Sequence, residues 1–109
     1  MQNKNQEAYM SIMETLQGTG LPCCYSHFEE KVEPPLIVYI QGGQNQFSAD
    51  DTRFWHRNTY QIEYYFNKKN SRAEAAIEEA LLSAGYKFTR SEDVYLDDED
   101  VFVVYYYTD

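Results

Sequence analysis

The chain has 109 residues, 43% of them hydrophobic and 17% aromatic, and its 18 acidic residues exceed the 9 basic ones, which gives a net charge of −9. This length predicts a single domain, residues 1–109, and the aromatic content excludes a disordered acidic tail. The charge argues against a nucleic-acid-binding protein, which needs clustered lysines and arginines, and the sequence predicts neither a membrane span nor a secretory signal.

Hydrophobic periodicity predicts two amphipathic helices. The first extends from Glu7 to Gln17, with Asn5 as its N-cap and Gly18 as its stop. The second begins with a capping box between Ser71 and Glu74, ends near Ala84, and is followed by a left-handed Gly85. The apolar stripes are Tyr9, Ile12, Met13 and Leu16 in the first helix, and Ile77, Ala80, Leu81 and Ala84 in the second.

Five apolar runs predict strands, and they span residues 23–28, 36–40, 54–66, 86–90 and 101–107. Pro34 and Pro35 mark the beginning of the second strand, whose continuous apolar run is typical of a strand buried on both faces. The stretch from Gly42 to Thr52 has no periodicity, which predicts a long, mobile hairpin loop of a kind that is often functional. The order α-β-β-β-α-β-β predicts an α+β two-layer sandwich. Its antiparallel sheet has about four to five strands, with both helices on one face.

The residue types that could support catalysis do not form a recognisable site. Cys23 and Cys24 are adjacent and would point to opposite faces of a strand, so they form neither a disulfide framework nor, with His27, a zinc site. The acids at 97–100 lack the register of a calcium loop and indicate a solvated turn that blocks edge pairing. Gly42 and Gly43 precede neither a helix nor a lysine, so they are not a phosphate loop. The sequence therefore predicts no catalytic, metal-binding or cofactor-binding residues.

The tyrosines predict an interaction surface. Tyr105, Tyr106 and Tyr107 are consecutive, so at least one of them must point away from the helices, and Tyr64 and Tyr65 present the same situation. Aromatic side chains on an uncovered sheet face are typical of protein interfaces, although half-exposed tyrosines are also tolerated by water. The excess of aromatics favours an oligomer or partner surface.

Six blocks of sequence carry a resemblance to a known family: YSHF (25–28), PPLIVY (34–39), NQFSADD (45–51), NTYQIEYY (58–65), VYL (94–96) and DEDVF (98–102). In content and order they resemble the small head–tail joining, or tail completion, proteins of long-tailed bacteriophages. The resemblance covers most of the chain, and none of its blocks is a catalytic signature.

The resemblance implies a non-enzymatic virion protein, made in the cytoplasm of the bacterial host. Such a protein would form a ring, typically six-fold, with tail tube and head connector proteins as partners. DNA would pass through the ring without specific binding. We expect some of the acids at 29–30 or 97–100 to face the lumen or the rim and to repel phosphate. The loop from Gly42 to Thr52, with Phe47 as its apolar anchor, would become ordered against a neighbouring ring protein. The candidate interaction residues are Gly42, Gly43, Phe47, Asp50, Asp51, Tyr65, Asp97, Asp98, Glu99, Asp100, Tyr105 and Tyr107.

Other functions remain open on the sequence alone. An acidic inhibitor that mimics DNA fits the charge, but the carboxylates cluster at turns and on the second helix instead of along an elongated surface. A generic protein-binding adaptor domain fits the composition equally well. A small enzyme fits poorly, because no nucleophile–base pair or metal set is recognisable.

Overall fold

A computed structural model describes residues 11–46 and 56–109 of the chain. Within these residues the helices are α1 (Ile12–Gln17) and α2 (Ser71–Ser83). The strands are β1 (Cys23–Tyr25), β2 (Leu36–Gln46), β3 (His56–Phe66), β4 (Phe88–Arg90), β5 (Val94–Leu96) and β6 (Val101–Thr108). The predicted α+β class and element order are confirmed, with one strand more than expected.

The strands form one mixed sheet in the order β1-β2-β3-β6-β4, and β5 also pairs with β6. β4 pairs with the end of β6, with Phe88 opposite Thr108, whereas β5 pairs with its start, with Leu96 opposite Val101. These two short strands therefore form one interrupted edge. The other edge is β1, which lies parallel to β2, so the sheet is mostly antiparallel, as predicted, with one parallel pair at this edge. The turn at Gly18–Pro22, which follows α1, places the beginning of β1 beside the beginning of β2. There the Ile37 N–H donates to the Pro22 carbonyl at 2.8 Å.

Both helices pack on the same face of the sheet, as predicted. Leu16 of α1 and Ile77 and Leu81 of α2 are fully buried against Tyr64 of β3 and Tyr106 of β6. Strand alternation places Ile37, Tyr39, Ile62, Phe66 and Val104 on this face as well. The hydrophobic core thus lies between one helical layer and one face of the sheet, and the opposite face has no helix on it among the described residues.

The first helix begins later than the sequence predicts. Ser11 is the N-cap, with an extended ψ of 156°, and it forms a capping box with Glu14. Because Ser11 is extended, the predicted helix does not continue unbroken through this position. Tyr9 and the predicted cap Asn5 lie outside the described residues.

The second helix has the predicted length but a different cap. The Asn70 side-chain oxygen accepts from the N–H groups of Arg72 and Ala73, so Asn70, not Ser71, is the N-cap. Gly85 follows the helix with a φ of 89°, the predicted left-handed position. The proposed capping-box acid, Glu74, is buried and forms ion pairs instead of returning a bond to the cap.

An ion-pair network around the buried carboxylate of Glu74 joins α2 to the β4 edge. The Glu74 carboxylate lies 2.8 Å from Lys69 Nζ and 2.6 Å from Arg90 Nη2. Arg90 also contacts Glu78 at 3.0 Å, and Asp93 contacts Lys69 at 3.0 Å. A single arginine on an edge strand therefore contacts two successive turns of the helix, which fixes its rotation about its axis.

The sequence predicts that strand β2 ends at Ile40, but the strand is longer in the structure. It continues through Gly42 and Gly43 to Gln46, with a register shift against β3 between Gln41 and Gln44. A Cβ atom on Gly42 would lie 2.7 Å from the Thr59 hydroxyl oxygen, which in turn donates to the Gly43 carbonyl at 2.6 Å. The glycines therefore permit a close cross-strand contact at an irregularity in the ladder. The predicted loop thus begins inside a strand, and its Phe47, Asp50 and Asp51 lie outside the described residues.

Candidate interaction surface

Strand alternation gives the sheet a second face, on which no helix of residues 11–46 or 56–109 packs, and we call it the open face. It carries Val38 and Ile40 of β2, Gln61, Glu63 and Tyr65 of β3, and Val103, Tyr105 and Tyr107 of β6. Tyr64 and Tyr106 point into the core, so each tyrosine pair or triplet divides between the faces as predicted. Tyr107 is 44% exposed, and its ring stacks on that of Tyr105 with centroids 6.2 Å apart. An aromatic surface thus lies beside polar groups on the side of the sheet that the helices leave open.

Glu63 occupies the centre of the open face. The register places it between Val38 on one neighbouring strand and Tyr105 on the other, and it is only 8% exposed. Its two carboxylate oxygens accept from the Tyr65 hydroxyl at 2.6 Å and from the Gln61 amide at 2.7 Å. Both donors are neutral, and no lysine or arginine whose side chain is described forms an ion pair with this carboxylate.

The tyrosines around Glu63 are held in their protonated form. Burial, followed by the hydrogen bond to Glu63, raises the pKa of the Tyr65 hydroxyl well above its ordinary value. Burial and then the charge of Glu63 raise the pKa of Tyr105. Neutral phenol groups beside a carboxylate make this region a hydrogen-bonding surface of negative potential.

A groove of about 460 Å³ opens at one end of the open face. Its lining is apolar and aromatic at Leu36, Tyr65 and Val101 and carries the carboxylates of Glu33, Glu99 and Asp100. One cation, Lys31, also lines the groove and lies 4.0 Å from Glu33. Leu36 and Val101 begin their strands and Tyr65 lies near the end of its strand, so the groove continues from the sheet surface to the turn between β5 and β6. Carboxylates thus border the aromatic surface at this end.

The turn that precedes β6 is exposed, as predicted for Asp97, Asp98, Glu99 and Asp100. Asp100 has a φ of 53°, and its carboxylate accepts from the Tyr95 hydroxyl at 2.6 Å. Before this turn the chain forms β5, a strand that is not among the five predicted from the sequence. That strand has only three residues, and its pairing with the long β6 supplies the hydrogen bonds that stabilise it.

The structure brings together some of the predicted interaction residues and separates others. Tyr65, Glu99 and Asp100 meet at the groove, and Tyr105 and Tyr107 lie on the same face. Gly42 and Gly43 lie near the opposite end of the sheet, on the order of 20 Å away, because six or seven residues of β3 separate the two ends. The predicted residues are therefore not one continuous site.

Two important residues of the open face, Glu63 and Gln61, are absent from the predicted set. Their alternation with Tyr60, Ile62 and Tyr64 does place them on one face in the sequence. Their burial and mutual hydrogen bond could not be predicted, because these depend on the flanking strands.

The described residues show neither a metal-binding cluster nor a membrane-spanning helix. No group of three or more His, Cys, Asp or Glu side chains among them could hold a metal ion. Within the same part of the chain, every helix is too short or too polar to cross a bilayer. Cys23 and Cys24 are both free thiols, and they face opposite sides of the sheet.

The sequence matches no protein-family model and, in a search of curated proteins, has no significant match.

Proposed function

We propose that this protein is a structural component of a long-tailed bacteriophage virion, acting in tail completion or head–tail joining. One observation supports the proposal from the structure: among the described residues no helix packs on the open face, and that face presents stacked tyrosines beside the Glu63 carboxylate and the carboxylates of the groove. The six sequence blocks that resemble the joining proteins supply the identity of the assembly.

The proposed assembly is a ring of copies at the junction between the tail tube and the head connector. A ring needs two different surfaces on each copy that meet by rotation. The fold has such surfaces, because its two edges, β1 and the interrupted β4–β5 edge, differ in length and direction. Its partners would be other copies and the tail tube and connector proteins.

The acidic turns suggest a role for the net charge of −9 that each chain carries. Acids at 97–100 that face the lumen would repel DNA phosphates and allow the genome to pass without binding. The segment from residue 92 to 109 contains seven acids and no lysine or arginine, so no basic residue of the segment offsets its negative charge. A structure of the assembled ring with all these acids on the outer wall would contradict this part of the proposal.

The decisive experiment is complementation of a phage that lacks the gene for this protein. Without the protein, heads and tails should accumulate unjoined, and the wild-type chain should restore complete particles. The double variant Tyr105→Ala, Tyr107→Ala should restore few, because it removes the stacked pair from the open face. The matched control is Leu82→Ser, which changes an apolar residue that is 60% exposed on α2, on the other side of the molecule.

Two results would overturn the proposal. One is a normal yield of infectious particles without the protein. The other is competition between this protein and DNA for a basic enzyme, which would instead identify an acidic inhibitor. Mass measurement of the protein alone, and after mixing with isolated tail tubes, would then give the stoichiometry of the complex.

A further inference from the structure

The carboxylate of Glu63 is a buried charge without a counter-charge among the described side chains. Acids that are almost fully buried are normally paired with a cation or a metal, because desolvation of an isolated carboxylate is costly. Here two neutral donors, Tyr65 and Gln61, satisfy one position on each oxygen, and each oxygen can accept a further hydrogen bond. The group is therefore held in place and still able to receive a donor.

The surroundings of Glu63 suit one kind of cation in particular. Tyr65 adjoins it along the strand, and Tyr105 adjoins it across the strand with its ring stacked on that of Tyr107 at an interplanar angle of 17°. A guanidinium group is planar, stacks on aromatic rings and donates two parallel hydrogen bonds to a carboxylate. An ammonium group is a strongly hydrated point charge and uses such a flat surface less well.

The charge of the chain indicates where this cation comes from. Two copies of the protein each carry −9, so their acidic open faces would repel each other. Arg90 and Lys69 bind Glu74 on the helical side of the sheet, whereas Arg72 is exposed on α2 and forms no ion pair with a described side chain. It is therefore the net charge that argues against a second copy as the source of the cation. The groove beyond Tyr65 adds three carboxylates, those of Glu33, Glu99 and Asp100, against one ammonium group, that of Lys31, so its lining remains net negative. A basic segment of a different protein complements this arrangement, whereas nucleic acid does not.

We propose that the open face binds an arginine-bearing segment of a different protein, with the guanidinium against the Glu63 carboxylate and between the rings of Tyr65 and Tyr105. The flanking residues of that segment lie along Val38 and Ile40 or extend into the acidic groove. This occupant is defined by its chemistry alone and does not depend on a role in a virion.

The test uses the whole protein and a synthetic peptide, by NMR titration. The probe is the acetylated and amidated pentapeptide Ser-Val-Arg-Val-Ser, and its matched control carries citrulline, a neutral isostere of arginine. The arginine peptide should give saturable shifts at the Glu63 carboxyl and at the rings of Tyr65 and Tyr105. The citrulline peptide should bind at least roughly tenfold more weakly, because a hydrogen bond between charged groups is lost.

Two variants separate Glu63 from the general negative charge. Glu63→Gln keeps the shape and should weaken binding of the arginine peptide by at least roughly tenfold. Glu79→Gln removes the same charge from an exposed position of α2 and should leave the affinity unchanged. The isolated Glu63→Gln variant should also melt no lower than the wild type, since a neutral amide is easier to bury than an unpaired carboxylate.

The proposal is overturned by equal affinity for the citrulline peptide, by unchanged affinity in Glu63→Gln, or by shifts confined to the turn at 97–100. Self-association that disappears in Glu63→Gln would also overturn it, since a second copy would then be the occupant. The citrulline comparison needs no variant, so it decides the question even where Glu63→Gln fails to fold.

Discussion

The ion pairs of Glu74 allow a quantitative prediction about stability. We expect Glu74→Gln to remove the attraction that ties the first turn of α2 to Lys69 and to Arg90 on the β4 edge. The substitution keeps the size and shape of the side chain. Any loss of stability therefore reports on the charge and its hydrogen bonds.

The magnitude follows from burial and distance. Removal of one partner from a fully buried ion pair costs about 3–5 kcal/mol. Only the carboxylate is buried here: the Glu74 side chain is 5% exposed, Lys69 is 47% exposed and Arg90 is 35% exposed. Both cations also retain other acidic partners, Asp93 and Glu78. The expected loss is therefore nearer to about 2 kcal/mol in the free energy of unfolding, or a fall of about 8–16 °C in the melting temperature.

The assay is reversible unfolding by denaturant and by heat at neutral pH, where both cations are charged. The hydrogen bond with Glu74 is the main cause that raises the pKa of Lys69 above its ordinary value. Glu79→Gln, an exposed position on the same helix, is the matched control and should change the stability by less than about 0.5 kcal/mol. A Glu74→Gln effect as small as that of the control would show that the network does not hold the helix, and would refute the reasoning.

Three further predictions concern the backbone and the tyrosines. Gly85→Ala should lower the free energy of unfolding by about 1–2 kcal/mol, because Gly85 has a φ of 89°; an unchanged melting temperature would contradict this. Gly42→Ala should cost about 1–2 kcal/mol by displacing the Thr59 hydroxyl, and Thr59→Ala in the same chain should recover part of that loss in thermal unfolding. The free energy of unfolding should fall as the pH rises above about 10. Burial and hydrogen bonds to Glu63 and Glu78 raise the pKa of Tyr65 and Tyr106 in the folded state, so these hydroxyls lose their protons at a lower pH in the unfolded chain. Tyr65→Phe should flatten that decline in melting temperature, and an equally steep decline in the variant would exclude Tyr65 as a contributor.

Local sequence patterns were sufficient for several elements. The spacing of Ile77 and Leu81 and the position of Gly85 predicted α2 and its end, because helical periodicity and a left-handed cap are local properties. The consecutive tyrosines at 105–107 predicted an aromatic surface on the open face for the same reason, since side chains alternate along any strand.

Other features depended on contacts between distant parts of the chain. Ser71 and Glu74 match a capping box in the sequence. In the structure the Glu74 carboxylate forms ion pairs with Arg90 and Lys69, and Asn70 caps the helix. Gly42 and Gly43 look like a strand break, but pairing with β3 extends β2 through them. A strand that is stabilised mainly by pairing with its neighbour cannot be recognised from its own residues. This also explains why the sequence did not predict β5, which pairs with β6.

The sequence by itself determined the α+β class, the order of the elements, the faces on which the tyrosines lie and the uneven distribution of the charge. These follow from composition and from the two periodicities of helices and strands. Only the tertiary structure decided that β1 pairs in parallel, that β4 and β5 share one edge, and that Glu63 is buried among neutral donors with no cation among the described side chains. Each of these features depends on the order of the strands in the sheet, which is determined by packing across the whole sheet. The same strand order places Glu63 at the centre of the open face.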